Sequence, residues 1–167
     1  MVTKVYLGLG TNLGNKEENL TRAIEHLSLV LGPCAAQSPF IETAPWGFES
    51  NNSFLNCAVA FDTHLAPLEL LDATERIERE LGRTLKSEGG NYHDRIIDID
   101  ILLYGNGIIE SDRLTIPHPL MHKREFVLEP LATIAPDAIH PILGKSIKEL
   151  LDERYKLVPI SAMQACL

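Results

Sequence analysis

No stretch of the 167 residues approaches the ~18 consecutive apolar residues that a bilayer-spanning helix needs. The opening residues Met1-Val-Thr-Lys-Val-Tyr6 also lack the apolar run of a signal peptide, so a cytoplasmic protein with no membrane partner is expected. Cysteine is scarce: Cys34, Cys57 and Cys166 form an odd set with no C-x-x-C pair. Cys34 and Cys57 sit among apolar neighbours and read as buried fillers, with no nearby charge to stabilise a thiolate. An excess of positive charge is missing too. The formal net charge of −8 excludes a general nucleic-acid binder, which needs a basic face for phosphates. Repeats, low-complexity tracts and interdomain linkers are absent. The expectation is a single domain over 1–167, acting as a monomer.

What is present suffices for a full core, since 45% of the residues are apolar. The charge is unevenly placed. Residues 83–124 hold six basic and six acidic residues and half of the six histidines, so all of the −8 lies elsewhere. An anionic ligand is best tolerated in that neutral segment.

Val5 to Gly10 read as a buried strand, followed by a helix capped by Asn15 and running to Leu31. Its apolar positions Leu20, Ala23, Ile24, Leu27 and Leu31 repeat at helical spacing. Two strands are expected at 35–43 and 54–63, then a second helix from Pro67 to Gly82. In that helix Leu70, Leu71, Thr74, Ile77 and Leu81 form the inner stripe. After a polar loop, 83–94, comes a strand from Arg95 to Tyr104. A short hairpin, a helix near 124–134 and a last helix near 146–153 complete the chain. The fold class is α+β, a ferredoxin-like βαββαβ core with a C-terminal hairpin and helices.

The most informative segment is Ile97-Asp98-Ile99-Asp100-Ile101. Alternate residues of a strand share a face, which puts the two carboxylates together, roughly 6.5–7 Å apart along the backbone. Ile97, Ile99, Ile101 and Leu103 then point into the core. Adjacent carboxylates repel unless a cation compensates, and this spacing suits two hard divalent ions about 3.5–4 Å apart. The other reading is a half-exposed strand with an acidic outer face. Arg95, Arg83 and Lys86 nearby favour the metal, because carboxylates plus cations are what a metal-bound polyphosphate needs.

Three further patterns lead elsewhere. Gly144-Lys145-Ser146 looks like the end of a P-loop, but Ile139 stands where its first glycine is required, and Ser146 reads as a helix cap. Gly8-Leu-Gly10-Thr-Asn-Leu-Gly14 has its third glycine one residue late for a dinucleotide fingerprint. His118 and His122 have a zinc-compatible i, i+4 spacing, but Pro119 breaks the helix this would need. His118 is better read as a phosphate-facing donor.

Several blocks together resemble the 6-hydroxymethyl-7,8-dihydropterin pyrophosphokinase family, from Tyr6 to about Pro136. They are Gly8-Leu-Gly-Thr-Asn-Leu13, Glu42-Thr-Ala-Pro45, Phe54-Leu-Asn-Cys-Ala-Val59, Glu75-Arg-Ile-Glu78 and Gly82-Arg83. Asp94-Arg-Ile-Ile-Asp-Ile-Asp-Ile-Leu-Leu-Tyr-Gly105, Arg113-Leu-Thr-Ile-Pro-His-Pro119 and Arg124-Glu-Phe-Val-Leu-Glu-Pro-Leu131 follow. R-x-x-D-x-D-x-L-L followed by L-x-x-P-H is the specific part.

The resemblance implies pyrophosphate transfer from ATP to the pterin hydroxymethyl group in folate biosynthesis, giving AMP and the pterin diphosphate. It implies two magnesium ions on Asp98 and Asp100. Arg83, Lys86 and Arg95 join them as catalytic residues. Glu75, Glu78, Arg83, Lys86, Tyr92, Arg95, Ile101, Arg113, Thr115, His118 and Arg124 take positions at ATP. Asn56 is expected to read the pterin edge, Phe54 and Phe126 to stack on its faces, and Thr43, Ala44 and Trp46 to add contacts. The chain departs from the family pattern in three places. The loop after Arg83 is longer, with Leu85 or Lys86 where arginine is common. Tyr92 replaces a frequent tryptophan, and Pro119 stands where an aromatic can occur. The loop 83–94 is expected to order when nucleotide binds. A metal-dependent nucleotidyltransferase and a regulatory module that binds a metabolite without chemistry are the competing readings. The first needs a basic track, and the second does not need Asp98, Asp100, Arg95 and Arg124 together.

Overall fold

The computed structural model describes residues 2–43, 53–82 and 96–156. Strand β1 (Thr3–Thr11) is central, with β4 (Phe54–Thr63) on one side and β5 (Asp98–Tyr104) on the other. β2 (Cys34–Gln37) and β3 (Ile41–Thr43) both pair with β4, and every pairing in the sheet is antiparallel. With α1 (Lys16–Leu31) after β1 and α2 (Pro67–Glu80) after β4, the order β2-β4-β1-β5 is the expected ferredoxin-like arrangement. A small hairpin of β6 (Ile109–Glu110) and β7 (Thr115–Ile116) follows, then α3 (Glu125–Ile134) and α4 (Ile147–Lys156). Among the described residues no helix is long and apolar enough to cross a membrane.

The pleat divides the core in two. Val5, Leu7 and Leu9 of β1, Leu55, Cys57, Val59 and Phe61 of β4, and Ile99 and Ile101 of β5 pack with α1 and α2. On the opposite face Ala58, Leu102 and Leu103 pack with α3 and α4. Phe61 is fully buried, so Phe61→Ala would cost about 3–5 kcal/mol. Cys57 also lies in the first cluster, and burial pushes its thiol up to about 12, as its role as a core filler requires.

Local chemistry sets the element ends. Asn15 caps α1 by accepting from Glu18 N at 3.1 Å, and Gly32 closes it at φ 98° with its N–H on Ser28 O. Pro67 opens α2, with the Glu69 carboxylate accepting from Ala66 N at 2.8 Å. Ser146 and Glu149 form a reciprocal capping box on α4, while Lys145 pairs with Glu153. The Gly-Lys-Ser tripeptide therefore starts a helix, as its spacing suggests.

Three expectations change. The single strand expected at 35–43 is two, because Pro39 has no N–H to continue the ladder. Ser38 fills the break: its N–H donates to Ala58 O and its Oγ accepts from Ala58 N. Leu103 does not follow Ile99 and Ile101. A register shift between Tyr6 and Leu7 pairs Tyr6 with Leu103 and Leu7 with Ile101, leaving Leu102 as an extra residue. The bulge turns Leu102 and Leu103 together into the second cluster. On α2 the buried set is Leu70, Ala73, Thr74, Ile77 and Glu78, while Leu71 and Leu81 are only partly covered.

Candidate active site

The site lies on the face of the sheet turned away from α1 and α2. Because Ile99 and Ile101 are buried on the helix side, Asp98 and Asp100 project together on the other, each half-buried. β1 supplies glycine opposite both: Gly10 pairs with Asp98 and Gly8 with Asp100. On its other side Gly10 pairs with Asn56. Directly paired residues share a face, so Asn56, Gly10 and Asp98 form one row. The outer two stand two strand spacings apart, roughly 9.5–10 Å.

Gly10 keeps that row open. A Cβ placed on it would lie 2.9 Å from Asn56 Oδ1 and 3.8 Å from the Phe54 ring. Asn56 is 5% exposed and donates through Nδ2 to Thr43 Oγ1 at 2.8 Å. A buried amide fixed in this way presents a defined donor–acceptor edge. The Thr43 hydroxyl thereby orients Asn56. Phe54 borders the amide from the same strand.

Arg124 precedes α3, and its guanidinium lies 5.5 Å from the centroid of the Phe126 ring, within cation–π range. His118 Nδ1 accepts from Leu120 N at 3.2 Å, so the neutral ring carries its proton on Nε2. Burial lowers its pKa, Arg124 lowers it further, and Asp98 opposes both. The same balance places His118 within electrostatic reach of Arg124 and Asp98.

The remaining expected residues fall into four groups. Ile101 has its side chain in the core at 4% exposure, so any ligand contact it makes is through its main chain. Arg113, Glu75 and Thr115 are more open, at the rim between α2 and the β6–β7 hairpin. There Arg113 donates to Asp72 at 2.7 Å and Glu75 at 3.0 Å, and these contacts, Asp72 first, hold it deeper in its charged range. Glu78 lies underneath, 3% exposed, with Oε2 accepting from Ile99 N at 2.8 Å. Arg83, Lys86, Tyr92, Arg95, Ala44 and Trp46 lie outside the described residues, as does the loop 83–94.

Gly8 and Gly10 received no role from the sequence beyond membership of a motif, although glycine at alternate strand positions signals a close approach. The buried polar pair Thr11 and Asn12 was also missed. Asn19 supports this turn, donating to Thr11 Oγ1 and Leu13 O.

Residues 6–136 match a family model described as 7,8-dihydro-6-hydroxymethylpterin-pyrophosphokinase. The chain is 51% identical over 138 residues to a 2-amino-4-hydroxy-6-hydroxymethyldihydropteridine pyrophosphokinase of Porphyromonas gingivalis, covering 82% of this chain and 93% of that one. It is 39% identical over 149 residues to the folic acid synthesis protein fol1 of Schizosaccharomyces pombe, covering 89% of this chain and 20% of that one. The fold matches a Plasmodium falciparum HPPK-DHPS crystal structure with a TM-score of 0.71 at 18% identity, over 93% of this chain and 42% of that chain.

Proposed function

Because the chain belongs to the 7,8-dihydro-6-hydroxymethylpterin-pyrophosphokinase family and is a pyrophosphokinase of folate synthesis, we propose that it works with ATP and magnesium over the row Asn56–Gly10–Asp98. That row is the observation that carries the reading. It sets a fixed amide edge and the first carboxylate of the pair on either side of a glycine.

The donor set fits magnesium. Among the described residues no group of three or more potential ligands gathers at one point. Magnesium is seldom caged by protein. It takes one or two carboxylates and completes its shell with water and substrate phosphates. Asp98 and Asp100, partly exposed on one face, are such a pair. Bound there, magnesium would neutralise the triphosphate and polarise the phosphorus under attack.

The chain's own residues position the reactants. Asn56 reads the pterin edge, while Phe54 and Phe126 hold its faces. The hydroxymethyl oxygen is thereby directed toward the β-phosphorus, with AMP as the leaving group. His118 donates from Nε2 to a phosphate oxygen. Arg124, together with Arg95, Lys86 and Arg83, offsets the charge on the phosphates. Arg113, Glu75 and Thr115 receive the nucleoside end. Positioning and charge neutralisation suffice for this class of transfer, and no side chain is assigned as a dedicated general base.

Phosphorus NMR of a quenched reaction containing hydroxymethyldihydropterin, ATP and magnesium tests the reading. AMP and the pterin diphosphate are expected in equal amounts. ADP with a pterin monophosphate would refute it.

A further inference from the structure

We propose that Glu78 is a positioning residue for the carboxylate pair, acting through the peptide that separates Asp98 from Asp100. The proposal rests on the reading that these aspartates hold magnesium. Glu78 is 3% exposed, yet its Oε2 accepts the Ile99 amide at 2.8 Å. Ile99 is the one residue between the two aspartates. An acid so far from water is costly to ionise unless strong hydrogen bonds compensate, and a carboxylate taking a backbone N–H is among the stronger ones.

The geometry explains what the bond does. On one side β5 pairs with β1, where Asp98 and Asp100 face Gly10 and Gly8. Glycine brings no side chain to brace the aspartates across the pair. On the other side the described sheet ends at β5, so little in the sheet itself holds the strand against twisting. Two carboxylates on one face push each other apart, and a free strand would relax by turning at the peptide between them. α2 prevents this turn. Glu78 follows Ile77, which is 1% exposed in the core, so its carboxylate is delivered from a rigid element. The aspartates thus keep one spacing before any cation arrives, which is preorganisation supplied through the backbone. With so little exposed surface, Glu78 acts on the reaction through the strand, whereas a residue that touches nucleotide would act through affinity for it.

The test compares Glu78→Ala and Glu78→Gln with Asp98→Asn, measuring kcat, KM for ATP, magnesium half-saturation and the Ile99 amide proton resonance. Glu78→Ala is expected to lower kcat about 10–100-fold, in the range seen for residues that orient metal ligands, and to raise the magnesium half-saturation. Glu78→Gln keeps an oxygen acceptor and should restore most of both, with the Ile99 amide still downfield. Where Glu78→Ala fails to fold, Glu78→Gln decides, and a folded Glu78→Gln enzyme with kcat lost to the same degree would overturn the proposal. So would a Glu78→Ala enzyme altered in KM for ATP alone, beside an inactive Asp98→Asn. An Asp98→Asn enzyme with normal turnover would remove the magnesium reading and this proposal with it.

Discussion

Asn56 and Asp98 are both Cα partners of Gly10, one on each side, so the amide of β4 and the first carboxylate of β5 share a row across the central strand. The distance between that amide and that carboxylate is therefore set by main-chain hydrogen bonds. Such bonds are stiffer than any pair of surface side chains.

Gly10→Ala is expected to impair pterin binding with little effect on ATP. Its new Cβ would stand 2.9 Å from Asn56 Oδ1, closer than such contacts occur, and the amide must swing away. One misdirected buried hydrogen-bonding group costs about 1–2 kcal/mol, so KM for the pterin should rise by roughly tenfold. Steady-state kinetics with each substrate varied in turn checks this. An unchanged KM for the pterin would show that Asn56 is not the reader.

Asp98→Ala and Asp100→Ala should each abolish turnover at saturating magnesium while the fold persists. Each would remove one ligand from the proposed magnesium site, and each also relieves repulsion between like charges. Thermal melts should be unchanged or slightly raised. Product assays and melts on the same preparations separate lost chemistry from lost structure.

Arg113→Ala should raise KM for ATP and leave stability nearly untouched. Its partners Asp72 and Glu75 are solvent-exposed, and exposed ion pairs add little to folding. Fluorescence titration with an ATP analogue and a thermal melt check the two halves. A large stability loss would mean that this cluster supports the hairpin more than the nucleotide.

Lowering the pH should destabilise the protein from about pH 6.5 downward. His140 Nδ1 accepts from Ile142 N and Leu143 N, which only a neutral ring can do. Burial, with His122 next, lowers the His140 pKa. Burial, then Lys123 and Arg154, lowers that of His122, whose Nδ1 has no hydrogen-bond partner among the described residues. A folded pKa below the unfolded value means that the unfolded chain takes up protons first. Stability is then complete above about pH 6.5 and falls as pH drops through the folded values. Melts from about pH 5 to 8 should show this slope. His140→Asn, which keeps an acceptor for the two amides, should flatten it.

Much of this site was legible because strand periodicity is simple. Asp98 and Asp100 had to share a face once Ile97, Ile99 and Ile101 were read as core, and the structure agrees. The cap at Asn15 and the one at Ser146 were equally local. Leu103 was misplaced because a bulge arises from the register between two strands, which neither strand's sequence states alone. Glu78 was read as a nucleotide contact and left out of the inner stripe because a charged residue is rarely buried without a partner. Its spacing of four from Thr74 does place it on the inner side of α2, but its partner is a backbone amide that leaves no mark in the sequence. The close approaches at Gly8 and Gly10 were less legible, because a missing side chain gains meaning only from the neighbour that takes its space, Leu102 over Gly8 and the Asn56 amide over Gly10.

The extra residue at Leu102 gives β5 two independent halves. Tyr104 returns to the α1–α2 side, where its hydroxyl donates to Leu65 O at 2.6 Å. With unbroken alternation that ring would have projected on the aspartates' side. The bulge therefore uncouples the parity of the strand's anchor from the parity of its working end. A one-residue insertion or deletion beyond Leu102 can be absorbed there without exchanging Asp98 and Asp100 for their isoleucine neighbours. The same change between Asp98 and Ile101 has no such buffer and would bring an isoleucine onto the face that the aspartates occupy.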